Sequence, residues 1–331
     1  RGWQGDRRNQ PQSVYQMNTG SSLLGKPSVG SWVACGWGTE NRDMPAFVVL
    51  PDPRGGLKGG PPAWGNGFLP ATYQGTPLGH NGVAAKDAKI PFISGSNPCN
   101  LQRLELDMLR KLGQRHLERI GTDDRLEARI ASFEQAFRMQ MTVPEVQNIA
   151  DETQATRRMY GLDNVATGDF GLQCLLARRF SERGVRFIQC NSNGWDHHSN
   201  LEQNMRKMCR SVDRPIAGLI HDLKQRGLLD ETLVIWGGEF GRTPVAENAN
   251  GRDHNPHGFT MWLAVGGIKP GITHGRTHDY GYYAVEHQVH FHDFHATILH
   301  LLVIAHANLH SDRKRTRLHS IHLVIPSAVL F

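Results

Sequence analysis

Arg186–Asn200 reads R-F-I-Q-C-N-S-N-G-W-D-H-H-S-N, Val234–Pro244 reads V-I-W-G-G-E-F-G-R-T-P, and Gly251–Phe259 reads G-R-D-H-N-P-H-G-F. The first two leave an apolar, β-rich run and break into glycine and polar residues. The third leads into another such run. Val185–Cys190, Leu233–Trp236 and Thr260–Val265 are therefore predicted strands. Between and around them lie helical patterns: an amphipathic Phe170–Glu182, a long Leu201–Lys224 stopped at Arg226-Gly227, and a final His292–Leu302. Strands alternating with long helices predict an α/β fold, with a mostly parallel sheet covered on both faces. Ligands of such sheets sit beyond the carboxyl ends of the strands. All three polar clusters fall at strand ends.

Those clusters are Asp196, His197 and His198; Glu239; and Asp253, His254 and His257. Imidazole and carboxylate donors gathered this way suit a divalent cation such as Zn²⁺, Mn²⁺ or Ca²⁺. The chemistry expected is metal-assisted hydrolysis. Asp196 has a second reading as the cap of a helix starting near Ser199. Arg242 is expected either to clamp an anionic oxygen with its planar fork or to pair with Glu239. Asp253 and His254 are read as further ligands or as partners that orient His257.

Working outward, Pro27–Gly38 predicts a short helix and Ala46–Leu50 a strand. Residues 51–100 are crowded with glycine and proline and predict a long surface loop, either a lid or a decorative insertion. Leu101, Leu104, Leu109 and Leu112, then Ile130, Phe133, Phe137 and Met141, recur at helical spacing and predict an inserted helical segment.

A chain of 331 residues can bury a sizeable core. No apolar run approaches the ~18 residues of a membrane helix. The formal charge is +6, but Arg313, Lys314, Arg315 and Arg317 against Asp312 place half of it in residues 311–331. The remainder is mixed in sign with no basic run among aromatics, which argues against a nucleic-acid partner. The five cysteines show no C-x-x-C and no metal-finger spacing, so they are expected to be free thiols.

Several segments together resemble a known family. G-W-D-H-H-S-N (194–200), I-W-G-G-E-F-G-R-T-P (235–244), G-R-D-H-N-P-H-G-F (251–259) and H-F-H-D-F-H-A-T-I-L-H-L-L (290–302) are similar to the domain of unknown function 1501 family. So are L-G-K-P-S-V-G-S-W-V (24–33) and W-G-N-G-F-L-P-A-T-Y-Q-G (64–75). That family resembles a sulfatase-like branch of the alkaline phosphatase superfamily, and the likeness runs from Ser13 to Leu302.

The resemblance implies an alkaline phosphatase-like α/β/α sandwich over residues 1–310, incomplete at its N-terminus. It implies a metal-dependent hydrolase of phosphate or sulfate esters, or an inactive relative that binds a sulfated glycan or other anionic ligand. It also implies a periplasmic or secreted full-length protein whose leader would precede Arg1. The superfamily's opening strand, with its aspartate ligand, would precede Arg1 as well. Counting back from Thr19-Gly20 puts the superfamily nucleophile at Asn9 or Gln10, and neither can attack. Carried over motif by motif, the superfamily's site implies that Asp196, His198 and His257 hold one ion, with His197 an alternative to His198. Where superfamily members carry an Asp-His pair, this chain has Glu239-Phe240, so Glu239 is expected to serve a second ion or to act as a base. His290, His292 and His295 fall on the superfamily's structural helix and are read as packing residues. The stretch S-D-R-K-R-T-R-L-H-S-I-H-L-V-I-P-S-A-V-L-F (311–331) resembles a translated sequencing adaptor and is set apart from the fold.

Overall fold

The computed structural model describes residues 1–79, 83, 86–88, 97–121, 123–305 and 327–330. Its helices are α1 (Gln10–Thr19), α2 (Val29–Trp37), α3 (Cys99–Ile120), α4 (Asp124–Gln147), α5 (Gln154–Met159), α6 (Gly168–Glu182), α7 (Leu201–Gln225) and α8 (Phe291–Leu301). Its strands are β1 (Trp3–Gln4), β2 (Phe47–Leu50), β3 (Thr76–Pro77), β4 (Phe187–Cys190), β5 (Thr232–Trp236), β6 (Gly241–Arg242), β7 (His254–Asn255), β8 (Trp262–Ala264), β9 (Arg276–Thr277), β10 (Ala284–Glu286), β11 (Val289–His290) and β12 (Ser327–Leu330). The expected mixed α/β class is what the chain adopts.

Six strands make the central sheet in the order β3-β2-β4-β12-β5-β8. All neighbours are parallel except β5 and β8. β2, β4 and β5 are almost entirely buried, as their unbroken apolar runs require of strands covered on both sides. The two-residue alternation divides their side chains. Val48, Leu50, Ile188, Cys190 and Val234 face a core with α4, α6 and α7. Phe47, Val49, Phe187, Leu233 and Ile235 face a second core with α1, α2 and α8. On that second face α2 lies flush on the sheet through Gly30. A Cβ there would stand 2.5 Å from the Phe47 ring and 2.8 Å from that of Phe187.

Two expectations about burial change. The Phe170–Glu182 helix is not amphipathic: residues from Phe170 through Phe180 are all buried, because α6 is enclosed by β4, α4 and α7. Its charges survive burial by pairing. Arg178 meets Glu152 at 2.6 Å, Glu182 at 2.7 Å and Asp222 at 3.0 Å, and Arg179 meets Glu152 and Asp151. The glycine-rich excursion is not wholly surface either. Ala63, Trp64, Leu69 and Leu78 are buried, because short 3₁₀ turns at Pro61–Trp64 and Ala71–Tyr73 fold it onto the core. A lid at 80–82, 84–85 or 89–96 would lie outside the described residues. The helical segment is a hairpin, with Arg103 of α3 paired to Glu134 of α4 at 2.6 Å. Among the described residues no helix is long and apolar enough to cross a membrane.

Short ribbons position the site. β6 pairs antiparallel with β7 and sets Arg242 opposite His254. β1 pairs with β11, and Trp3 also bridges Phe259, which pins the N-terminal segment beside β7. β12 comes from the adaptor-like stretch, which was expected to stand apart from the fold, and it lies between β4 and β5.

Candidate metal centre

The residues after β4 leave the sheet at its carboxyl end and carry Asp196 and His198. Those after β5 carry Glu239 and then Arg242 on β6. Asp52, buried beyond the end of β2, accepts from the Asn193 backbone N–H at 2.7 Å and pairs with Arg54, which ties this rim together.

Asp196, His198 and His254 converge. His198 Nε2 and His254 Nε2 each lie 2.9 Å from Asp196 Oδ1, and 3.0 Å from one another. The outer nitrogens explain which face of each ring turns inward. His198 Nδ1 donates to the Glu247 carboxylate, and His254 Nδ1 donates to the Arg8 carbonyl at 2.8 Å. Neither acceptor carries a hydrogen, so a neutral ring keeps its own on Nδ1 and points an Nε2 lone pair at Asp196 Oδ1. Three lone pairs about 3 Å apart repel one another unless positive charge lies among them. Arg242 supplies some, with Nη2 2.7 Å from the same oxygen. A divalent cation, or a second proton on an imidazole, supplies the rest.

The donor set fits a cation. Edges of 2.9–3.0 Å lie between the roughly 2.8 Å of an octahedral and roughly 3.3 Å of a tetrahedral shell with ~2.0 Å bonds. Two imidazoles and one carboxylate leave further positions open, as catalytic metal sites do. The Glu247–His198 bond is the outer carboxylate that such histidines commonly carry.

Where the second proton, not a cation, supplies the positive charge among the donors, burial pushes the Asp196 carboxyl upward, but hydrogen bonds from the protonated His254 and from Arg242 outweigh it and hold its pKa at about 2. The Glu247 hydrogen bond raises His198. Burial lowers His197, whose Nε2 has no partner among the described residues, so the interior ring of the pair is His197 and the rim ring is His198.

The supporting loop is docked by a glycine. A Cβ on Gly251 would stand 1.9 Å from the His198 carbonyl oxygen. Only glycine allows this approach, and it brings Glu247, which bridges Gly251, up to the His198 ring. A second combination that shares only His198, with Glu247 and Asp253, could also hold an ion.

His257 belongs to neither combination. It lies beyond the end of β7, in a turn where its backbone N–H donates to Asn255 Oδ1 at 3.1 Å, and that turn carries its ring away from Asp196. Its ring packs beside Tyr283 at 5.4 Å and Tyr282 at 6.2 Å. His254 is thus the histidine that meets Asp196 and His198. Glu239 is also outside both combinations. It lies half-buried in a cavity wall, hydrogen-bonded by Gln10, and burial raises its pKa. Arg242 pairs with Asp196, not Glu239, and stacks its guanidinium 5.7 Å over the Phe240 ring. Phe240 in turn lies against His254, with ring centres 4.2 Å apart. Asn9 caps α1. Glu247 and the Arg8 carbonyl escape sequence reading. No local spacing marks them, because folding alone brings them to the two histidines.

No curated protein and no solved structure matches the chain. A family model described as "Protein of unknown function (DUF1501)" matches residues 1–320, nearly the whole length. The chain belongs to the DUF1501 family.

Proposed function

We propose that this protein is a metal-dependent hydrolase of phosphate or sulfate esters, built on a sulfatase-like, alkaline phosphatase-like sandwich and working in the periplasm or outside the cell. The observation that carries the reading is the inward convergence of Asp196 Oδ1, His198 Nε2 and His254 Nε2, with both outer nitrogens engaged by acceptors. A divalent cation bound there would act as a Lewis acid toward an ester oxygen and acidify a water. The chain's own groups have distinct tasks. Asp196, His198 and His254 hold the ion, while Glu247 and the Arg8 carbonyl fix the two rings. Arg242 presents its guanidinium to an anionic oxygen between the ion site and the cavity. Glu239, whose pKa burial raises against the opposing hydrogen bond from Gln10, is the group placed to exchange a proton with the ester. Gln10, at the superfamily nucleophile position, serves only to orient.

A second reading, an inactive relative that binds a sulfated glycan or other anionic ligand, draws on two observations. Asp196 Oδ1 already receives Arg242, and Phe240 covers His254 where the superfamily carries an imidazole. Metal analysis by equilibrium dialysis with Zn²⁺, Mn²⁺ and Ca²⁺, alongside 4-nitrophenyl phosphate and sulfate hydrolysis, tests both. The expected result is a stoichiometric ion and turnover, both lost in His254→Ala and both kept in His257→Ala. A wild-type chain that binds none of the three ions overturns the hydrolase reading. Tight ion binding without turnover of either ester leaves the binding reading in its place.

A further inference from the structure

Beside the three converging donors lies a cavity of about 650 Å³ between α7 and the β5–β8 side of the sheet. Three of its lining residues also touch or flank the donors. Arg242 bonds Asp196, Trp195 precedes Asp196 in the chain, and Phe240 stacks on His254. Anything bound through its anionic end at Arg242 therefore has its uncharged part beside this space.

Its walls are chemically lopsided. On the sheet side stand Trp195, Trp236, Phe240 and Trp262, with the Trp195 and Trp236 rings edge to face at 5.9 Å. On the helix side α7 contributes Met205, Val212, Ile216 and Ile220, with the Asp213 carboxylate and the Cys209 thiol among them. These side chains leave a slot with aromatic surface on one side and aliphatic surface on the other. Polar groups such as Gln10, Glu239 and Arg242 also line the cavity.

We propose that this cavity is the subsite for the uncharged half of an anionic ester, and that it selects a flat apolar ring, an aryl group, over a sugar. The proposal rests on the ester-hydrolase reading for its anionic end. The size matches sites that bury most of a small organic ligand. An aryl face gains from stacking on indole and from displacing water off the α7 methyl groups. A pyranose would present hydroxyls to that same aliphatic wall, and each one buried without a partner weakens binding roughly tenfold or more. On the helix side Asp213 offers one carboxylate for several hydroxyls, so the aliphatic side chains around it weigh against the sugar.

Isothermal titration of the full chain with 2-naphthalenesulfonate, methanesulfonate and glucose 6-sulfate, with and without Zn²⁺, tests this. Neither sulfonate carries an ester, so turnover does not enter their comparison. The arene is expected to bind about tenfold or more tighter than methanesulfonate and to quench tryptophan emission. Ala217→Trp and Thr260→Trp, at exposed lining positions clear of the donors, should remove that advantage without changing Zn²⁺ affinity. Equal binding of the two sulfonates, a preference for glucose 6-sulfate, or an undiminished arene advantage in both folded variants overturns the subsite. An arene advantage that persists in a chain that binds no metal retains the subsite and removes only the hydrolase. Turnover of esters without an arene advantage does the reverse.

Discussion

The contrast between His254 and His257 comes from the turn that ends β7. Both stand in a motif rich in metal-binding residue types, but β7 holds His254 at the donors while the turn after it carries His257 to the tyrosines of the neighbouring hairpin. What fixes the inward ring is a partner far away in the chain. Glu247 does the same for His198 through a loop that Gly251 presses onto the His198 backbone. If Glu247 positions and polarises the ring, Glu247→Gln keeps a hydrogen-bond acceptor there but removes the charge. Zn²⁺ affinity should then fall by about tenfold to a hundredfold, with circular dichroism and melting temperature unchanged. Unaltered affinity in a folded variant would show that the Glu247–His198 contact is only surface structure. The carboxylate and imidazole types of this centre are readable from the motifs themselves. The pairing is not, since Glu247, Arg8 and Gln10 reach the site only through the folded loops and the N-terminal ribbon.

Elements of long, regular pattern are read well because their signal is local. β4, β5 and α7 fall within a residue or two of their sequence expectations, and α8 within one. Burial is harder to read, since α6 carries Arg178 and Arg179 into the interior and its polar residues pass for a solvated face. The two-residue ribbons are illegible for a different reason: their pairing partners lie far off in sequence. α8 shows how such contacts stabilise. His295 donates from Nε2 to the Met17 carbonyl of α1 at 2.7 Å, and burial lowers its pKa to about 4. The nearby titratable groups are His290 and His292, both beside it at the start of α8. An unfolded histidine titrates near 6.5. Between those two values the unfolded chain binds the proton that the folded chain refuses, so acid favours unfolding. This contribution is complete above pH 6.5 and is lost as pH falls towards 4, at no more than about 1.4 kcal/mol per pH unit. Urea denaturation across that range should show a shallower pH dependence for His295→Gln, which keeps a donor for Met17 but does not titrate. Parallel pH profiles for the two proteins would mean that His295 is not held neutral in the fold.

At the scale of the whole molecule the sheet is completed by its last-coming strand. β12 is parallel to both β4 and β5, with Val329 opposite Ile188 on one side and Val234 on the other. Yet the family match stops at residue 320, short of β12, and the sequence of 311–331 resembles adaptor read-through. These facts pull in opposite directions, and backbone chemistry decides what to expect. Without β12 the facing edges of β4 and β5 lose their ladder partners in the middle of a buried sheet, where water cannot replace them. The two edges cannot simply close up, because the side chains of β2, β4 and β5 are packed in place in the helix-bearing cores on both faces. Deleting residues 311–331 should therefore lower the melting temperature and promote association through the exposed strand edges. Val329→Pro, which removes one central ladder N–H and leaves its acceptor unpaired, should do the same more mildly, by about 1–3 kcal/mol. Scanning calorimetry with light scattering reads both effects. A truncated chain that melts like the intact one and stays monomeric would mean that β12 is dispensable and that the sheet is held by its other five strands.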